Sequence, residues 1–163
     1  MTRALRRRAA LFALAAGLWL GCPVALAPED ATEARRAIVA WLECEECWGG
    51  ELGAVAALGD DAVPLLAATL DAGLSPASRA KLEAQLGAYY DQAEKRGAAA
   101  LRWSRKDFVA HHLATRDAGY RSRAAEALGR IGGRDAESAL RDALAKPQRP
   151  SVEQSIREAL ARL

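Results

Sequence analysis

Cys44 and Cys47, in Glu43-Cys44-Glu45-Glu46-Cys47-Trp48, are the residues of this chain best placed by type and spacing to do chemistry. Three positions apart near a helix end, they lie on one side and can close a disulfide if the last turn relaxes. Two sharper chemistries use the same spacing: a thiol–disulfide redox pair, and two ligands of a metal ion. A redox pair wants a helix N-terminus in a βαβ setting to lower a thiol pKa. Here the cysteines follow a helix, and Glu43, Glu45 and Glu46 push a thiol pKa up. A metal site lacks a second CxxC, and no histidine follows Cys47 to attach a c-type haem. The expectation is a structural disulfide, Cys44 to Cys47. Closing so short a loop stabilises by only about 2 kcal/mol on the chain-entropy account. A redox or metal-binding module of the cell envelope using this pair is the alternative reading of function.

The other candidates are His111, His112 and a basic segment. Adjacent residues on a helix point about 100° apart, so the two histidines cannot chelate one ion together. One is expected at the edge of the core and the other in solvent. Lys95, Arg96, Arg102, Arg105 and Lys106 bring five bases within twelve residues, with Trp103 among them. Arg and Trp are typical interface anchors, and a basic-aromatic mixture also suits anionic polymers or lipid headgroups. These six residues are the expected partner-binding surface; the plainer reading is a solvated linker with one packed Trp. No phosphate-binding Gly loop, no Ser nucleophile with a His/Asp set and no acid/base carboxylate pair can be singled out. The expectation is a protein that is not an enzyme and holds no cofactor or metal.

The elements that must position these residues begin after an export signal. Arg3, Arg6, Arg7 and Arg8 precede nineteen uncharged residues, Ala9–Ala27. A basic stretch before an apolar one is the pattern of such a signal. Three fates compete: cleavage after Ala25-Leu26-Ala27, lipidation at Cys22 in Leu18-Trp-Leu-Gly-Cys22, or retention as a membrane anchor. All three place the remainder outside the cytoplasm, in the periplasm or cell envelope, because the positive end stays inside. Oxidation of a cysteine pair is then the default, and nucleic acid is not an expected partner.

Residues 28–163 have the size of one domain with a continuous core. Alanine is abundant, aromatics are few, and no run of alternating β-branched residues reads as a strand. Without the four signal arginines, 19 basic side chains face 21 acidic ones. Residues 28–75 carry ten acids and two bases, and residues 76–163 eleven acids and seventeen bases. Such asymmetry can steer a partner.

Helical periodicity is clearest in Arg121–Leu144. Ala124, Ala125, Leu128 and Ile131 share one face, Gly129, Gly132 and Gly133 offer a C-cap, and Asp135 offers an N-cap to a second stripe through Leu144. A hairpin lined by alanine buries too little to fold alone and must stack on a neighbour. Weaker copies exist. Ala54–Gly59 matches Ala124–Gly129 at an offset of 70, and Ala62–Leu70 matches Ala136–Leu144 at 74. Glu153–Leu160 matches Arg121–Leu128 at an offset of 32.

Elsewhere, Asp30 or Thr32 can cap a first helix whose stripe is Ala34, Ala37, Ile38, Trp41 and Leu42, stopped by Gly49-Gly50. Helices are predicted over Glu51–Leu58 and Ala62–Leu70, the latter apolar almost all round and expected to be covered on both faces, the alternative being that one face is a docking surface. Ser75 caps a longer helix, with Pro76 at its first position, running to Arg96 with Leu82, Leu86, Tyr89 or Tyr90, and Ala93 inward. Another is predicted from Ser104 to Ala118. Ser151 with Gln154 forms a capping box for a last helix, with Val152, Ile156, Ala159, Leu160 and Leu163 on one face.

Arg123-Ala-Ala-Glu-Ala-Leu-Gly-Arg-Ile-Gly-Gly133 and the Ala/Leu helix after it resemble the short HEAT-like repeat, including the kind found in phycobilisome lyases. The resemblance covers roughly half of the chain after residue 27, and residues 76–120 do not fit the pattern. It implies an all-α fold, an α-solenoid of HEAT-like helix pairs over 28–163 with a helical insertion at about 76–120. Such solenoids commonly serve as protein-binding scaffolds, so a non-enzymatic scaffold or adaptor for an unidentified protein partner, attached to the membrane or released from it, is the expected function. A fold of this kind implies no activity by itself.

Overall fold

The computed structural model describes residues 28–44, 50–96 and 103–163. Among them all regular structure is helical: α1 (Pro28–Glu43), α2 (Gly50–Ala56), a 3₁₀ turn (Gly59–Ala62), α3 (Val63–Ala72), α4 (Pro76–Lys95), α5 (Arg105–Ile131), α6 (Gly133–Leu144) and α7 (Pro150–Leu160). No described helix is long and apolar enough to cross a membrane. The predicted signal segment, with Cys22, lies outside the described residues, as do Cys47 and Arg102.

α5 is the spine. It is 27 residues long and packs against every other described α-helix. The sequence reading broke it after Ala118; the structure runs it straight through. Gly119 meets nothing that would turn the chain, no proline intervenes, and Val109, Leu113, Ala118, Ala124, Ala125 and Leu128 are all buried along it. A stripe that keeps helical phase across one exposed glycine offsets the roughly 1 kcal/mol that glycine costs in a helix interior.

The core is made of small side chains closely apposed. Ala124, Ala125, Ala127 and Leu128 of α5 are fully buried, as are Ala136 and Leu140 of α6 and Val152, Ile156 and Ala159 of α7. At Gly129 α5 and α7 are closely apposed: a Cβ there would stand 2.7 Å from the Cβ of Ala159. α1 contributes Ile38, Trp41 and Leu42, and α3 contributes Val63, Leu66 and Leu70. α7 spends its apolar face on α5 and α6. Its outer face is polar, laced by Arg157–Glu153 and Gln154–Glu158 contacts one turn apart.

Three predicted caps are corrected. α6 begins at Gly133 with Gly132 as N-cap, placing Asp135 inside its first turn. α7 begins at Pro150, with Arg149 as N-cap and no side-chain cap, so Ser151 and Gln154 form no capping box. α1 already runs at Pro28, which puts Asp30 and Thr32 within the helix. Two expectations at turns are met. Gly132 takes φ 72°, ψ −162°, a region open essentially to glycine alone, and the Ser75 hydroxyl accepts the Ser78 amide at the start of α4.

Candidate functional site

α4 and the first half of α5 form an antiparallel hairpin. At one end the Asp117 carboxylate of α5 accepts from the Leu74 amide and from Arg79. At the other, the Tyr90 hydroxyl donates to the Trp103 carbonyl at 3.0 Å, and Arg105 Nε donates to Asp91 Oδ1 at 2.8 Å. That second end gathers the predicted basic segment. Lys95 and Arg96 lie where α4 stops, and Trp103, Arg105 and Lys106 lie where α5 starts, all exposed. Within this group Arg105 is paired: its hydrogen bond to Asp91 holds that carboxyl below the usual carboxylate range. Trp103 stands edge-on to His111 with ring centroids 4.3 Å apart, and Phe108 lies 4.3 Å from His112 and 6.0 Å from Tyr89. Tyr89 is 63% exposed and Trp103 41%. His111 is in solvent and His112 half-buried; both serve the aromatic stack. Among the described residues no group of three His, Cys, Asp or Glu side chains could hold a metal.

Cys44 sits half-buried just after α1 and is not without a partner. Its carbonyl, with those of Trp41 and Leu42, accepts from the Arg123 guanidinium of α5. A cation is thereby placed at the negative end of α1. The same guanidinium lies 6.0 Å from the Trp41 ring centroid.

A second place was not singled out from the sequence. Between α1, α3 and the start of α4 lies a cleft of about 550 Å³. Of the two readings of α3, covered on both faces or open on one, the second fits better: half-buried Leu65 and exposed Ala68 and Ala72 line this cleft with Val39 and Leu42. A smaller recess of about 220 Å³ adjoins it, and Glu43, Ser78, Lys81 and Tyr120 line both. Glu43 Oε1 accepts from the Ser78 hydroxyl at 2.9 Å, and its Oε2 lies 3.4 Å from Lys81 Nζ. Burial, with the Glu43 charge nearby, pushes the Tyr120 phenol up to about 12, so it stays protonated at neutral pH. The one local signal for this site was the small-residue face of α3. The pairing of Glu43 with Ser78 and Lys81 spans 35 and 38 positions and left no local trace.

Fold and sites together define an all-α protein with an exposed basic-aromatic tip and a separate cleft. No family model, curated protein or solved structure matches the chain.

Proposed function

We propose that the chain is a non-enzymatic, exported helical-repeat module of the cell envelope that docks a protein partner at the tip of the α4–α5 hairpin. The carrying observation is that exposed Trp103 and Tyr89, linked through the rings of His111, His112 and Phe108, share one end of the hairpin with exposed Lys95, Arg96 and Lys106. An exposed indole and phenol at one end of the hairpin with three cations suit a partner surface with an apolar pocket and acidic groups.

Solenoid character is part of the proposal. α2 with α3, and the end of α5 with α6, are taken as successive helix pairs, and α7 as the first helix of a third. Packing of α3 on both α5 and α6, and of α5 on α7, supports that reading. So does a glycine of positive φ between the helices of each pair, Gly59 in one and Gly132 in the other. α4 and the start of α5 then project as the insertion. The Cys44–Cys47 disulfide and membrane attachment through the N-terminus belong to the same proposal. The bound state of Cys44 supports the former.

Site-specific photocrosslinking in envelope extract tests it. A crosslinker at Trp103 is expected to trap a discrete partner that one at Gln154, on the outer face of α7, does not. Reversal of Lys95, Arg96 and Lys106 to Glu is expected to reduce that product at least tenfold. The same products from both positions, or indifference to charge reversal, would remove the tip from the account.

A further inference from the structure

A groove of about 500 Å³ runs between α3 and α6. Ala67 and Ala68 of α3 and Ala139 and Ala143 of α6 line it, and Ser138 adds a hydroxyl. Asp135, Ser138 and Asp142 fall on one side of α6, a turn apart, and all three face this groove. Its charges do not balance internally. Lys146 is bound to Asp71, and Arg121, the other base acting on Asp71, donates to the Leu70 and Asp71 carbonyls. Asp135 and Asp142 are exposed and have no ion-pair partner among the described residues. Asp135 suits the first turn of α6, but Asp142 sits in the last, at the negative end of the helix.

The hairpin tip shows the converse. There Arg105 is paired with Asp91, and Asp107 accepts from the Ser104 hydroxyl. Lys95, Arg96 and Lys106 are exposed and have no ion-pair partner among the described residues, with Glu94 the one acid of that end not already engaged. Lys106 lies in the first turn of α5, at the positive end of its helix. Lys106 and Asp142 thus each occupy the unfavoured end of a helix, and each would be relieved by the other's charge. Within one molecule they do not meet. Lys106 lies about 22 Å along α5 from Arg121, the residue bonded to Asp71 at the groove.

We propose that the tip of one copy docks in the α3–α6 groove of a second copy of this chain. Lys95, Arg96 and Lys106 face Asp135 and Asp142, and Trp103 lies over the alanine floor. The inference rests on the docking reading of the tip and names its partner. Contacts between unlike surfaces close a ring or run on as a chain.

Two neutralised variants of the full chain test it. One carries Lys95→Gln, Arg96→Gln and Lys106→Gln at the tip, the other Asp135→Asn and Asp142→Asn in the groove. All five positions are exposed, and circular dichroism checks that both variants keep their helices. In a mixture, the groove variant alone retains the two lysines and the tip variant alone retains the two aspartates. A carbodiimide link from Lys95 or Lys106 to Asp135 or Asp142 must then join two molecules. Such links are expected in the mixture, with a yield that falls about fivefold in high salt. In sedimentation the unsubstituted chain is expected to exceed one copy, each variant alone to remain at one copy, and the mixture to reach two. Trp103→Ala, which leaves every charge in place, is expected to weaken the association about tenfold. Absence of the mixed link, or self-association of the groove variant alone, would overturn the proposal. A Trp103 photocrosslink in envelope extract to a protein other than this chain, with no mixed link, would overturn it too, while leaving the docking reading of the tip intact.

Discussion

Two glycines inside helices look alike in the sequence and do different work. Gly129 was read as part of a C-capping cluster, yet it is helical and buried where α5 crosses α7. An added Cβ would meet the Cα and Cβ of Ala159 at 2.8 and 2.7 Å. Backbone cannot step aside, so α7 must move. Gly87 is also buried, but an added Cβ would meet only the tip of the Arg105 guanidinium, at 2.3 Å. That side chain can swing into solvent, giving up a surface ion pair that carries little. Alanine in place of helical glycine gains up to about 1 kcal/mol, while overpacking a close contact costs about 1–3 kcal/mol. Gly129→Ala is therefore expected to lower the thermal midpoint by several degrees, and Gly87→Ala to leave it unchanged or slightly raised. Equal behaviour in calorimetry would mean α5 and α7 are not so closely apposed. The positive-φ glycines at 132 and 133 were legible, because a Gly-Gly pair after an apolar stripe needs only local geometry. Gly129 was not, since its reason lies thirty residues away in Ala159.

At the level of elements, periodicity placed most helices correctly, and the ends were where it failed. A helix end is satisfied by whatever polar group is nearest in space, and here those groups come from afar. Arg121 and Arg123, two positions apart and about 200° around α5, reach to opposite sides. Arg121 donates to the carbonyls of Leu70 and Asp71 at the end of α3, and Arg123 to those of Trp41, Leu42 and Cys44 at the end of α1. Each guanidinium thus supplies both hydrogen bonds and charge at a helix C-terminus. The sequence showed two arginines at the start of the Arg121–Leu144 stretch and nothing of their targets, 50 to 82 positions away. Hydrogen bonds to a charged partner are worth about 1.5–3 kcal/mol. Arg123→Ala is expected to cost about 2–3 kcal/mol on that basis. Arg123→Lys should recover only part, because its ammonium ends one bond short of Nη1, the single nitrogen that contacts all three carbonyls. Urea denaturation monitored by Trp fluorescence would measure both, and a cost below about 0.5 kcal/mol for Arg123→Ala would show the capping to be incidental.

Across the whole molecule, α5 belongs to two structures of unequal strength. Its second half, Ala118 to Gly129, is buried among α3, α6 and α7, while its first half is covered by α4. α4 is twenty residues long, yet only Gly87 and Tyr90 of it are buried. The sequence set off residues 76–120 as foreign to the repeat pattern. It could not show that the same helix then continues through Ile131, because an unbroken helix and two abutting ones share one periodicity. The free energy of a local opening rises with the apolar surface it exposes to water, so the α4–α5 arm is expected to open without the rest. In native-state hydrogen exchange with added denaturant, amides of α4 should join an opening well below the global unfolding free energy, and those of Ala124–Leu128 should exchange only with global unfolding. On the docking proposal, a tip on such an arm would adjust its angle to a partner while the packed helices behind it stay fixed. Exchange of α4 and Ala124–Leu128 at one common free energy would make the chain a single cooperative unit, and the arm's freedom would have to be given up.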